Sequence, residues 1–76
     1  MSIKVVWRGK RYNEGDKHDW QVDTFWGSRR LSRYVEKGKT AREVSGSLRA
    51  IQRRTPRVEY DFILKQLPKK RLKRVM

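Results

Sequence analysis

The sequence contains no cysteine and only two prolines. Without cysteine there is neither a disulfide framework nor a thiolate zinc site, so a short chain must be stabilised by burial and hydrogen bonding alone. Apolar residues are also scarce, at 36% against 38% charged, which is below an ordinary globular composition. No apolar run approaches the length of a membrane span, and the start, MSIKVVWRGK, lacks the apolar stretch of a secretion signal. The protein is therefore expected in the cytoplasm, nucleoid-associated, or in the nucleus of a eukaryotic host. There is no internal repeat, no Ser/His/Asp or paired-carboxylate pattern, and no glycine-rich phosphate loop. Neither catalysis nor a cofactor is expected.

Acids are the scarcest charge, and their distribution is uneven. Residues 1–27 hold five Lys/Arg against four Asp/Glu, whereas from Ser28 onward sixteen face four. Nearly the whole formal charge of +13 thus lies on one side of a single boundary, which raises the local concentration of polyanions. Three Trp, three Tyr and two Phe separate the chain from disordered basic segments, which are poor in aromatics. Residues 1–67 are expected to form one small domain, and 68–76 a basic flexible tail.

Ile3 to Arg8 is β-branched and aromatic and reads as a strand, Gly9 as a turn, and Lys10-Arg11-Tyr12 as a short return strand. Asn13 to Asp19 is a turn cluster. Its residues His18, Glu14, Asp16 and Asp19 are explained by a polar loop rather than a metal site. Trp20 to Trp26 alternates as a second strand, with Trp20, Val22, Thr24 and Trp26 on one face and Gln21, Asp23 and Phe25 on the other. The aromatics Trp7, Trp20, Phe25 and Trp26 are expected in the core.

Ser28 suits the N-cap of a first helix, with Leu31, Tyr34 and Val35 at helical spacing and Gly38 at its end. Thr40-Ala41-Arg42-Glu43 has the form of a capping box opening a second helix. Ala41, Val44, Leu48 and Ile51 lie on one face of it, and Arg42, Ser45, Arg49 and Arg53 on the other. Gly46, inside that helix, marks either a close helix approach or an earlier end. Thr55 to Leu67 fits two periods. As a helix, Thr55 caps, Pro56 opens, and Tyr60, Ile63, Leu64 and Leu67 form a stripe; as a strand, Val58, Tyr60, Phe62 and Leu64 alternate with Glu59, Asp61 and Lys65. The cap signal favours the helix. The fold class expected is small α+β: an N-terminal hairpin or meander packed on two or three helices, or ββααβ if Val58 to Lys65 joins the sheet.

Phe25-Trp26, EKGKTAREV and RRTPRVEY give Ser28 to Leu67 the order of a helix-turn-helix unit, and this stretch resembles the Myb/SANT-like DNA-binding domains. That resemblance implies a third, DNA-reading helix presenting Arg57, Glu59, Asp61, Phe62 and Lys65.

From the charge pattern itself, Arg42, Arg49, Arg53, Arg54 and Arg57 form the favoured phosphate-contact stripe. Arginine forks match phosphate oxygens bidentately, and Ser45 and Ser47 can add hydroxyl contacts. A second group comprises Arg29, Arg30, Arg33, Lys37 and Lys39, and a third the tail residues Lys69, Lys70, Arg71, Lys73 and Arg74. A merely solvated face is the plain alternative, and sixteen bases against four acids favour a polyanion contact. The expected function is a non-catalytic nucleic-acid-binding protein, duplex DNA before RNA, acting as a small transcription regulator or DNA-associated protein. Two alternatives belong to other classes. One is a small adaptor or inhibitor, of the kind encoded by phages, that docks on an acidic host protein such as RNA polymerase. The other is an RNA- or ribosome-binding protein.

Overall fold

The computed structural model describes residues 1–9 and 11–68. Along these residues run β1 (Ser2–Val6), β2 (Lys17–Trp26), β3 (Arg29–Thr40), α1 (Ala41–Arg54) and β4 (Asp61–Leu67). The strands pair in the order β1-β4-β2-β3, with β1 parallel to β4 and the other neighbours antiparallel. The helix lies against β2 and β3 on one face of the sheet. Trp20 and Val22 of β2, Phe62 and Leu64 of β4, and Ala41, Val44 and Leu48 of α1 form the buried core. Ile3, Val5, Trp7, Tyr34 and Tyr60 pack around it. The opposite face of the sheet carries no helix among the described residues. No described helix is long and apolar enough to cross a membrane.

The helix begins where the capping box requires. Thr40, in an extended conformation, accepts the Glu43 N–H on its hydroxyl at 3.0 Å, and its own N–H donates to Glu43 Oε1 at 2.9 Å. Two of the donors orphaned at a helix start are thereby satisfied. The same backbone N–H, reinforced by Lys39 and Lys17, holds the Glu43 carboxyl below its ordinary range. Gly46 neither ends the helix nor admits a neighbour, because a Cβ there would meet nothing within 4 Å.

Two expected helices are strands, so the sheet-rich architecture replaces the hairpin on two or three helices, and no helix-turn-helix is formed among the described residues. Ser28 caps no helix. It sits in the two-residue turn between β2 and β3, where Gly27 takes φ +65°, the arrangement of a type II′ hairpin with glycine first. Once that turn closes, Ser32, Tyr34 and Glu36 fall opposite Thr24, Val22 and Trp20. Pairing with an adjacent, strongly β-forming strand outweighs the three apolar residues that suggested a helix. Gly38, also at φ +65°, serves a bulge instead of a helix end. Lys37 and Gly38 together stand opposite Asp19, whose Oδ1 accepts the Gly38 N–H at 3.0 Å.

The third segment is decided by long-range pairing. Thr55 closes α1 rather than opening a new helix, its N–H donating to the Gln52 carbonyl at 3.1 Å. The Gln52 side chain then holds the irregular connection: Nε2 donates to the carbonyls of Thr55 (3.1 Å) and Val58 (2.6 Å), and Oε1 accepts the Tyr60 N–H (2.8 Å). Beyond it, β4 enters between β1 and β2 and is hydrogen-bonded on both sides. A central strand gains two ladders, which isolated helix periodicity does not register.

Candidate nucleic-acid interface

Because successive strand residues point to opposite faces, the residues between the buried ones build the uncovered face of the sheet. The registers arrange them in three rows across the four strands. One row reads Val35, Gln21, Lys65, Val6; the next Arg33, Asp23, Ile63, Lys4; the third Arg30, Phe25, Asp61, Ser2. Rows two residues apart along a strand lie roughly 7 Å from one another, and the outer members of a row lie about 14 Å apart, from interstrand spacings of about 4.8 Å. Lys4 and Arg33 therefore flank the middle of the face, with Lys65 between the edges and Arg30 towards the β2–β3 turn.

Asp23 anchors the centre. It is only 7% exposed, and its two carboxylate oxygens accept Arg33 Nε at 2.8 Å and Nη2 at 3.2 Å. This bidentate fork holds the Asp23 carboxyl below its usual range, with lesser contributions from the charges of Arg30 and Lys65, while burial opposes the shift. It also fixes the direction of an otherwise mobile guanidinium.

The residues anticipated from sequence divide between two layers. Arg42, Arg49 and Arg53 do share the outward face of α1, opposite Ala41, Val44 and Leu48. Arg42 is drawn to Glu14 at 3.0 Å. Arg54 closes the last helical turn, and Arg57 lies exposed in the connection to β4. Arg29, Arg30, Arg33, Lys37 and Lys39 belong to the edge strand β3. Lys69, Lys70, Arg71, Lys73 and Arg74 lie outside the described residues. Lys4 and Lys65 are not among the residues anticipated from the charge pattern, since their place on one face with Arg33 follows only from the nonlocal β1–β4–β2 register.

The aromatic expectation holds for Trp20 and Trp7 and is corrected for Trp26 and Phe25. Trp20 is fully buried, its Nε1 donating to the Lys39 carbonyl at 2.9 Å, but Trp26 is 56% exposed beside the β2–β3 turn. Phe25 stands on the uncovered face. Trp7 packs against Tyr12, His18 and Trp20 at ring-centroid distances of 5.4, 5.0 and 6.4 Å. Glu14 and Asp19 are turned to Arg42 and Gly38, so they do not converge on His18. The comparisons with known proteins return nothing: no family model, no curated protein and no solved structure matches the chain.

Proposed function

We propose that the protein is a non-catalytic nucleic-acid-binding module that grips duplex DNA through the uncovered sheet face. The observation that carries this reading is the spacing of bases across that face. Lys4 on β1 and Arg33 on β3 stand on the two edge strands, about 14 Å apart, slightly more than the roughly 12 Å width of a DNA major groove, so the four-stranded face spans the groove rather than entering it. The edge residues then meet the phosphates on either side, while Gln21 and Lys65 on the central strands lie over the groove between them. Arg30 and Lys37 extend the phosphate contacts along β3. Ion pairs engage only Arg33 and Arg42 among the described Lys and Arg side chains, so most of the positive charge is uncompensated and releases counterions on binding.

The test is fluorescence anisotropy with duplex DNA, single-stranded DNA and structured RNA across a salt series. Duplex should bind most tightly, with log affinity falling by about 0.9 per phosphate contact for each decade of salt. Lys4→Glu combined with Lys65→Glu should weaken duplex binding on the order of 100-fold and lower that slope by about one contact, the phosphate assigned to Lys4. Equal, weak binding of all three ligands would overturn the proposal and leave an acidic protein surface as the partner to seek.

A further inference from the structure

At the end of the uncovered face nearest the β2–β3 turn lies an open cavity of about 380 Å³, within the size range of small-ligand clefts. Phe25 and Ile63 supply apolar walls, Lys4 a cation, and Ser2, Ser28 and Asp61 polar groups. Asp61 is the informative member. Its Oδ1 accepts the Ser2 hydroxyl at 2.7 Å, and no ion pair neutralises its carboxylate among the described residues. An ionised carboxylate has about four lone-pair sites, so most of its acceptor capacity remains for a ligand. The cavity therefore combines an aromatic face, an acceptor-only edge and a nearby cation.

Those are the complements of one nucleotide: a planar ring that stacks, N–H groups that donate, and a phosphate. Phosphate alone does not fit, because Asp61 would repel it. A base inside a duplex does not fit either, because its donors are already paired and its faces stacked. We infer that the cavity takes a single unpaired nucleotide of a bound duplex (a bulged, flipped or frayed base), stacked on Phe25 with its donors on Asp61. Guanine matches best, since N1–H and the N2 amino group present two adjacent donors to one carboxylate. Thymine matches worst, its single ring N–H lying between two carbonyls that face the acidic oxygens. This inference rests on the duplex-binding reading and adds the kind of DNA preferred.

The experiment compares a blunt duplex with the same duplex carrying one extrahelical guanine or one extrahelical thymine, by anisotropy at fixed salt. The guanine bulge should bind about 10-fold more tightly than the blunt duplex, within the range expected of one base stacked on an aromatic ring, and the thymine bulge by less. Asp61→Asn, which keeps an oxygen for the Ser2 hydroxyl, should abolish the guanine-over-thymine preference, while the lost negative charge raises affinity for blunt and bulged duplexes alike by about threefold or less. Phe25→Leu should remove the advantage of both bulges, with circular dichroism confirming that the sheet is intact. Blunt and bulged duplexes bound equally would overturn the unpaired-nucleotide site and leave the duplex reading standing. No binding to any of the three at low salt would overturn the duplex reading itself.

Discussion

On the helix, Arg42, Arg49 and Arg53 project from an outward face whose other residues include Gly46 and Ala50, with little apolar surface between them. On the sheet, Lys4, Arg33 and Lys65 stand among Phe25, Ile63, Val35 and Val6, and one of the bases is clamped by a buried acid. Both surfaces are basic, but only on the second is a base held by a buried acid, because the Arg42–Glu14 pair on the helix is exposed. A flexible arginine on an exposed helix must lose side-chain entropy to hold one phosphate, whereas Arg33 is already oriented by Asp23. Charge counted along the chain cannot distinguish these situations. Charge placed by strand register can.

The sharpest way to break the comparison is to reverse charge on each layer separately. Arg49→Glu with Arg53→Glu should change duplex affinity by less than about threefold beyond the general loss of net charge, against roughly 100-fold for Lys4→Glu with Lys65→Glu. Anisotropy at matched salt reads both. A reversal of the two magnitudes would move the interface to α1 and restore the arginine stripe as the principal contact.

Asp23→Asn probes the clamp itself. Losing a charge-assisted fork to a half-exposed arginine should cost about 1 kcal/mol of stability near neutral pH, measured by urea unfolding. Because the folded-state pKa of Asp23 is depressed, its contribution is fully present above the ordinary aspartate value of about 3.9 and is lost as pH falls through the lower folded value. The stability gap between the two proteins should therefore close in acid. A gap that persists there would assign the cost to packing instead. The same substitution removes a negative charge from the face but also frees the Arg33 guanidinium from its fixed direction, so duplex affinity falls if orientation governs the contact and rises if net charge does.

The legible parts of this fold were those encoded by neighbours in the chain. Thr40 and Glu43 lie three residues apart and close a capping box without help from the rest of the molecule, and Trp20 to Thr24 alternates in and out as read. Leu31, Tyr34 and Val35 misled because their spacing is that of a helix face, whereas the closing of Gly27-Ser28 against β2 makes the stretch a strand on which Leu31 and Val35 are exposed. β4 was ambiguous for a related reason: its two partners come from residues 2–6 and 17–26, distances at which local periodicity carries no information. The candidate interface inherits that difficulty. Arg42, Arg49 and Arg53 could be grouped from helical spacing alone, but Lys4 and Lys65 became neighbours of Arg33 only when three separate segments were paired.

Gly46→Ala separates stability from binding most cleanly, and its effect is the smallest of the three. A glycine inside a helix costs about 1 kcal/mol relative to alanine, through backbone entropy in the unfolded chain and weaker helix propensity. At Gly46 the added methyl would enter open space, with nothing within 4 Å and no positive φ to preserve. The substitution should therefore raise the urea midpoint, gaining about 0.5–1 kcal/mol, without touching the core. Gly46 lies on the outward side of α1 near Arg42, Arg49 and Arg53, so it also reports on the helix surface. If that surface were the DNA contact, packed closely enough to need glycine, the methyl would weaken binding despite the gain in stability. On the sheet-face reading duplex affinity stays unchanged while stability rises, and that divergence distinguishes a glycine kept for contact from one with no structural requirement.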